Sequence, residues 1–257
     1  MFRIVVNCGP CESYIEACLE SIRTQTFSGW HAYVTVDPCG DRTVEMALAV
    51  RAGDSRIHVK SNTRKLYSME NLIRAIERSH AAPEDIIVVL DGDDRFANPD
   101  ALSIIDETYR TSDCWMTYGT WIADDPHLEG MRRGLWPAYA DGTADFRNSE
   151  WLGTAVRTWK RWLWDLIDDR DFRDSNSDYF RVTEDQAVMV PMLEISGTAR
   201  AKHIAEVLMV YNRTSPYACG LTRCEEMLAN SRYIMSRPPY SRLVERPAAP
   251  GKQPQSL

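Results

Sequence analysis

Short apolar segments alternate with longer segments of helical periodicity along the first 110 residues, and this alternation constrains the fold more than any other feature. Short continuous apolar runs are typical of buried strands, whereas apolar residues spaced three and four apart are typical of helices. The strands are predicted at 2–7, 30–36, 56–60 and 85–90, and the helices at 14–22, 43–50, 68–79 and 99–110. This order predicts an α/β fold in which right-handed crossovers build a mostly parallel central sheet flanked by helices.

The segments that follow the predicted strands carry polar residues that are suited to ligand binding or catalysis. The carboxyl ends of parallel strands share one edge of a sheet, and ligands of such folds bind along that edge. Residues 8–12, 37–41 and 91–94 follow three of the strands and are expected to meet there. The strand at 85–90 is almost entirely apolar, which predicts a central position buried on both faces.

The acidic stretch Asp91-Gly92-Asp93-Asp94 is the most informative motif in the chain. Three carboxylates at the tip of a buried strand repel one another strongly unless a divalent cation lies among them. A diphosphate is the natural companion of such a cation. The alternative is an exposed acidic turn whose aspartates cap the next helix.

Composition excludes several classes of protein. The 257 residues include 44% hydrophobic and 26% charged residues, as expected for a globular protein, and no apolar run is long enough to span a membrane. The net charge of −7 disfavours a polyanion as the main partner. Seven cysteines without a secretory pattern favour free thiols and a cytoplasmic location. The oligomeric state is not determined by the sequence.

The stretch Cys8-Gly-Pro-Cys11 resembles a thioredoxin-like dithiol at the start of a helix. A redox protein of that kind would need a lowered pKa at Cys8. The alternatives are a simple Gly-Pro turn with free thiols, or a zinc site completed by Cys219 and Cys224. The dithiol does not explain the acidic motif, so the turn is the preferred interpretation.

The second half of the chain has weaker periodicity. Its polar stretch at 123–150 predicts a long loop or lid, and the residues from 237 onward predict a loose tail. We expect one domain at 1–236, with halves at 1–122 and 123–236, followed by the tail at 237–257. The remaining elements are predicted as strands at 115–122 and 203–212 and as helices at 156–167 and 184–196, the last kinked by Pro191.

Four motifs in the same order resemble the family 2 glycosyltransferases of the GT-A fold. The stretch 14–26, Tyr-Ile-Glu-Ala-Cys-Leu-Glu-Ser-Ile-Arg-Thr-Gln-Thr, is similar to the family's YIxxCLxSIxxQT. Residues 36–43 resemble its VDDxSxDxT, and residues 90–94 contain its Asp-x-Asp motif. Glu184-Asp185 lies where the family places an acidic pair at the start of a helix. The resemblance covers residues 3–213.

The resemblance implies a GT-A fold, a Rossmann-like sheet with a nucleotide-sugar-binding half followed by an acceptor half. It also implies a metal-dependent inverting glycosyltransferase that moves a sugar from a nucleotide diphosphate, most commonly a UDP-sugar, to a hydroxyl of a glycan or lipid-linked precursor. Two departures are Pro38, where the family commonly has a second acidic residue, and Cys8–Cys11, which replaces a PxYN-type turn.

The resemblance also assigns roles by position. Asp185 would be the general base, with Glu184 beside it; Asp93, helped by Asp91, would hold Mn²⁺ or Mg²⁺; and the donor would be bound by Glu12, Asp37, Asp91 and Gly92. This assignment agrees with the chemistry, because sugar transfer needs a carboxylate for the acceptor proton and a Lewis acid for the leaving diphosphate.

Two further features are expected to serve the site. Residues 157–164, Arg-Thr-Trp-Lys-Arg-Trp-Leu-Trp, combine cations that neutralise diphosphate with aromatic faces that stack on sugars or bases, and Arg157 is the preferred donor-binding residue. The alternative is an amphipathic helix whose tryptophans pack inward. His203 is a candidate additional metal ligand. A hydroxymethylated base in DNA is an alternative acceptor that residues 157–164 would suit, although the net charge disfavours it.

Overall fold

A computed structural model describes residues 1–124 and 137–247, and within them one eight-stranded sheet forms the centre of the molecule. Its spatial order is β3-β2-β1-β4-β7-β6-β8-β5. The strands are β1 (Phe2–Cys8), β2 (Trp30–Val36), β3 (Ile57–Ser61), β4 (Ile86–Asp91), β5 (Arg95–Phe96), β6 (Met116–Ala123), β7 (Arg157–Lys160) and β8 (Ala201–Tyr211).

Helices cover both faces of this sheet. They are α1 (Ile15–Arg23), α2 (Thr43–Ala52), α3 (Tyr67–Ser79), α4 (Ala101–Thr111), α5 (Arg161–Trp164), α6 (Glu184–Arg200), α7 (Cys219–Thr222) and α8 (Cys224–Met235), with one turn of 3₁₀ helix at Asp169–Phe172. Within the described ranges, none of them combines the length and the apolar character needed to cross a bilayer.

Strands β3, β2, β1 and β4 are parallel neighbours, which confirms the predicted α/β fold with a mostly parallel sheet. The register pairs Cys8 of β1 with Val36 of β2, and Asn7 of β1 with Asp91 of β4. The ends of these three strands therefore lie side by side, and the loops that follow them share one edge.

Alternate residues of the central strands supply two separate hydrophobic cores, because successive side chains of a strand point to opposite faces. Ile4 of β1 and Val88 of β4 belong to the core beneath α1, α2 and α4. Val5 and Val89 belong to the core beneath α3 and α6. Burial on both faces explains why the sequence of β4 is a continuous apolar run.

The remaining strands join the sheet in mixed directions. Strand β7 is antiparallel to both β4 and β6, β8 is parallel to β6, and β5 is antiparallel to β8. This arrangement brings the start of β7 and the end of β8 to the edge where β4 ends.

The predicted helix at 156–167 is wrong in its first part. Residues Arg157–Lys160 form β7 between β4 and β6, and helix α5 begins only at Arg161. Short apolar and aromatic runs suit either a buried strand or a buried helix, and pairing with two strands decides in favour of the strand here. Helix α6 also differs from the prediction, since its backbone leaves helical geometry at Gly197, with a φ of 58°, rather than at Pro191.

The two predicted irregular segments are only partly described. Of the polar stretch, residues 125–136 lie outside the described ranges, while 137–150 contain no helix or strand and bury Tyr139 and Phe146 in the core. Residues 237–247 contain no helix or strand, and two hydrogen bonds connect them with α6. The backbone N–H of Leu243 donates to the carbonyl of Ile195, and that of Tyr240 donates to the carboxylate of Glu194. Residues 248–257 lie outside the described ranges.

A buried ion pair connects these segments with the core. Arg147 donates from Nε to Glu194 at 2.6 Å and from Nη2 to the same carboxylate at 2.8 Å. The side chains are only 6% and 2% exposed. Arg147 also donates to the carbonyl of Ile234 at the end of α8. The pair therefore joins the 137–150 segment, α6, α8 and the C-terminal segment.

We predict that Arg147→Met lowers the free energy of unfolding by about 3–5 kcal/mol, because it leaves the carboxylate of Glu194 buried without its cation. Urea denaturation followed by circular dichroism measures the change. Arg42→Met is the matched control, since the Arg42–Glu45 pair is 66% and 65% exposed, and it should have little effect. Equal stability of the two variants would contradict a structural role for the buried pair.

Candidate active site

The acidic turn after β4 is held in place by hydrogen bonds from three directions. The backbone N–H of Gly92 donates to the carbonyl of Asn7 at 2.8 Å. The Oδ1 atom of Asp94 accepts the backbone N–H of Asn212 at 2.8 Å, and the side chain of Ser215 hydrogen-bonds to Asp93. Strand β1 and the segment after β8 therefore fix the positions of the carboxylates.

The negative charges of these carboxylates are only partly balanced by a nearby cation. Desolvation raises the pKa of Asp91, Arg157 opposes the shift, and the charges of Asp93 and Asp185 add to it, which leaves the pKa at about 6. Desolvation and the charges of Asp91 and Asp93 also raise the pKa of Asp94 well above its ordinary value. The pKa of Asp93 is raised, mainly by desolvation. The turn therefore concentrates negative charge that a cation would stabilise.

Gly92 is required by its close contact with two thiols. A Cβ atom at this position would lie 2.5 Å from Sγ of Cys8 and 3.1 Å from Sγ of Cys11. Both cysteines are free and buried, at 2% and 4% exposure. The contribution of Gly92 is therefore to let the turn pack directly on the sulfur atoms.

The thiols lack the properties of a redox centre. The hydrogen bond with Cys11 and burial raise the pKa of Cys8 well above its ordinary value, whereas a nucleophilic thiol needs a lowered pKa. The predicted zinc alternative also fails, because no three metal-ligating side chains among residues 1–124 and 137–247 are grouped suitably. The Gly-Pro turn with free thiols is the interpretation that the geometry supports.

The acidic pair Glu184-Asp185 forms the first turn of α6. Desolvation, with the charges of Asp185 and Asp91, raises the pKa of Glu184 to about 7, while Arg157 and a hydrogen bond with Ser68 oppose the shift. Asp185 remains 29% exposed, and its Oδ2 atom lies 3.6 Å from Nη1 of Arg157. Solvent can reach both carboxylates of the pair, because Glu184 is also partly exposed.

Arg157 lies close to both the acidic turn after β4 and the acidic pair of α6 because of the direction of β7. Its strand is antiparallel to β4, so Arg157, the first residue of β7, pairs with Val89 near the end of β4. The favourable charges on Arg157 come from Asp185, Glu184, Asp91 and Asp94. The sequence predicted Arg157 in a helix, whereas it begins β7, and its donor-binding role stays a prediction.

The tryptophans of 157–164 do not line the site. Trp159, Trp162 and Trp164 are 1%, 6% and 9% exposed, and all three belong to the core beneath α3 and α6. The alternative in which they pack inward is confirmed for the tryptophans, whereas the proposed aromatic wall is wrong.

Asp37 lies at the predicted edge but is 3% exposed. Its carboxylate accepts hydrogen bonds from Nδ2 of Asn62 at 2.9 Å, from the backbone N–H of Leu66 at 3.0 Å and from the backbone N–H of Tyr67 at 2.8 Å. Asp37 therefore holds the loop at 62–67. Glu12 is exposed and accepts the backbone N–H of Arg42 at 2.9 Å, so it joins the loops that follow β1 and β2.

His203, the candidate additional metal ligand, lies on β8. It pairs with Tyr118 near the start of β8, whereas the end of β8 lies at the acidic turn through Asn212. The role of His203 as a metal ligand stays a prediction.

Three contacts of the site could not be predicted from the sequence. Ser68 bonds Glu184, Asn212 bonds Asp94, and Ser215 bonds Asp93. Ser68, Asn212 and Ser215 belong to none of the motifs described in the sequence analysis. The positions of Asn212 and Ser215 depend on how the segment after β8 reaches the acidic turn, and that of Ser68 depends on how α3 packs beside the start of α6.

Asp91 and Asp93 fit a cation that arrives with its substrate. The described ranges hold no group of three or more ligating side chains, so a cation held by Asp91 and Asp93 would need further ligands besides those that these ranges supply. Mg²⁺ is commonly held by one or two carboxylates together with substrate phosphates and waters. The uncompensated charge of the turn agrees with that mode of binding.

Solved structures with the same fold are glycosyltransferases. TarS 1-349 from S. aureus in complex with UDP-GlcNAc has a TM-score of 0.55 and 16% identity over 83% of this chain and 59% of that one. The mannosyltransferase PcManGT from Pyrobaculum calidifontis, in complex with GDP-Man and Mn²⁺, has a TM-score of 0.60 and 16% identity over 89% of this chain and 62% of that one. The chain thus spans about three fifths of the length of each.

The family comparison agrees with the order of the elements at the site. Curated proteins gave no match. The pattern of the family described as glycosyl transferase family 2 matches residues 4–164, which include β1 to β4, the acidic turn and Arg157. Because this match covers more than half of the sequence, the chain belongs to glycosyl transferase family 2.

Proposed function

We propose that the protein is an inverting glycosyltransferase that moves a sugar from a nucleotide diphosphate sugar to an acceptor hydroxyl. The observation that carries this proposal is the convergence of two acidic groups on Arg157, one at the end of β4 and one at the start of α6. One group suits a donor that carries a diphosphate, and the other suits an acceptor that must lose a proton.

The donor is proposed to bind at the carboxyl edge of β1, β2 and β4. Arg157 would contact the diphosphate, since its guanidinium can form paired hydrogen bonds with phosphate oxygens. A UDP-sugar is the proposed donor, and the complexes of TarS with UDP-GlcNAc and of PcManGT with GDP-Man support a nucleotide sugar. Asp37 and Glu12 would shape the nucleotide pocket by holding its loops.

Asp91 and Asp93 would hold Mn²⁺ or Mg²⁺, which supplies Lewis-acid stabilisation of the leaving diphosphate. PcManGT was solved with Mn²⁺, which supports this choice of cation. The hydrogen bonds from Gly92 to Asn7 and from Asn212 to Asp94 would fix the turn against repulsion between its carboxylates.

Asp185 is proposed as the general base. Its partial exposure lets an acceptor hydroxyl approach, and its Oδ atoms can accept the proton as the oxygen attacks the anomeric carbon. Attack opposite to the leaving diphosphate inverts that carbon. Glu184, which is bonded to Ser68, would keep the first turn of α6 in place. The acceptor is proposed to be a glycan or a lipid-linked precursor.

We predict that UDP and MnCl₂ together raise the melting temperature of the wild-type protein more than UDP alone, because a ligand that binds only the folded state stabilises it. Asp93→Asn should lose the manganese-dependent part of this rise and should abolish metal-dependent turnover of the donor. Differential scanning fluorimetry and a donor-hydrolysis assay measure the two effects.

Glu107→Gln is the matched control for this experiment. It also removes one acidic charge, on the exposed surface of α4, and should respond to UDP and manganese as the wild type does. A wild-type response from Asp93→Asn would contradict the assignment of the cation site.

We predict that Asp185→Asn binds the donor with affinity close to wild type and loses transfer by about 10²–10⁴-fold, the usual contribution of a general base. Glu225→Gln is the control, because Glu225 occupies the equivalent first turn of α8, and it should keep full activity. Glu184→Gln tests the division of roles. A larger loss of transfer in Glu184→Gln than in Asp185→Asn would identify Glu184 as the base.

We predict that Asp91→Asn raises the melting temperature at pH 8 in the presence of EDTA. The pKa of this acid is raised to about 6 in the folded protein, so its ionised form opposes folding above that pH and ceases to do so as the pH falls towards 4. The expected increase is on the order of 2–4 °C for each kcal/mol relieved. An unchanged or lower melting temperature at pH 8 would show that Arg157 already offsets the charge.

A further inference from the structure

A group of three cations surrounds the ring of Tyr67 at the rim of the candidate active site. Nζ of Lys65 lies 5.1 Å from the ring centroid, Cζ of Arg181 lies 5.3 Å from it, and Cζ of Arg223 lies 4.9 Å from it. The side chain of Arg223 also hydrogen-bonds to Tyr67. The three cations come from the loop before α3, the segment before α6 and the residue before α8. We call Lys65, Tyr67, Arg181 and Arg223 the Tyr67 cluster.

The Tyr67 cluster carries more positive charge than its acidic neighbours balance. Arg223 pairs with Glu226 at 2.7 Å. Lys65 and Arg181 are exposed, and across 1–124 and 137–247 neither forms an ion pair. A cation over an aromatic ring gains little at an exposed site, and three like charges around one ring repel one another. An anion bound between them would remove that repulsion.

The ring of Tyr67 is held in position by the fold. Tyr67 has a φ of 62°, in the left-handed region that an aromatic residue rarely occupies. Its backbone N–H donates to the buried carboxylate of Asp37 at 2.8 Å, and this contact sustains the unusual conformation. The backbone position of Tyr67 is therefore set by Asp37, which follows the end of β2.

The Tyr67 cluster adjoins the acidic pair of α6. Ser68, the next residue after Tyr67, donates from Oγ to the carbonyl of Arg181 at 3.0 Å and hydrogen-bonds to the carboxylate of Glu184. A molecule whose hydroxyl reaches Asp185 would thus have its neighbouring groups over the cluster.

We propose that the Tyr67 cluster binds a phosphate group carried by the acceptor, so that the preferred acceptor is a phosphorylated sugar or glycan rather than a neutral one. This inference rests on the proposed function, because it takes Asp185 to lie at the acceptor side. Lys65 and Arg181 supply charge-assisted hydrogen bonds to the phosphate oxygens, and Tyr67 supplies a surface for the adjoining sugar ring.

The test compares a hexose 1-phosphate with the matching methyl hexoside as probes. Isothermal titration calorimetry is carried out on the full chain saturated with UDP and MnCl₂, so that the donor site is occupied. The hexose phosphate should bind the wild type more tightly than the methyl hexoside. Lys65→Ala/Arg181→Ala should weaken that binding by about tenfold or more and leave the affinity for UDP unchanged. Arg51→Ala/Arg110→Ala removes the same charge from α2 and α4 and should bind both probes as the wild type does.

Several results would overturn the inference. These are equal binding of the two probes, an unchanged affinity in Lys65→Ala/Arg181→Ala, or inorganic phosphate binding as tightly as the hexose phosphate. A parallel loss of UDP affinity in that variant would assign the Tyr67 cluster to the donor instead. Failure of the wild type to bind UDP at all would contradict the proposed function, which separates the two outcomes.

Discussion

The arrangement of the site depends on carboxylates that the fold forces together where they are poorly solvated. Strand β4 ends in the acidic turn, α6 begins with Glu184 and Asp185, and Arg157 lies between them. Arg157 attracts both groups but leaves the pKa of Asp91 at about 6 and that of Glu184 at about 7. The residual repulsion explains why the turn is tied to β1 and to the segment after β8. The same repulsion makes the turn receptive to a cation.

The parallel half of the sheet could be predicted from the sequence because its signals are local. Apolar runs and helical spacing within single segments define β1 to β4, and the crossover rule then places their ends together. The acidic turn was therefore predicted at the correct edge. The repulsion among its carboxylates could also be predicted, because the motif is contiguous and follows a buried strand.

The other half could not be predicted because its contacts depend on pairing between distant segments. Arg157 reaches the carboxylates only because β7 enters the sheet against β4, and nothing in its own sequence distinguishes that strand from a helix. The Tyr67 cluster combines residues 65, 181 and 223 from three distant segments, and the sequence of any one segment does not indicate that they meet.

Asp37 has a consequence for how the enzyme selects its substrates. Displacing the loop at 62–67 would strip three donors from a buried carboxylate, which is costly in a medium of low polarity. The loop at 62–67 therefore behaves as a rigid extension of β2. For the donor proposed to bind here, discrimination on this side would depend on complementarity to a shape present before the donor arrives, and not on closure around it.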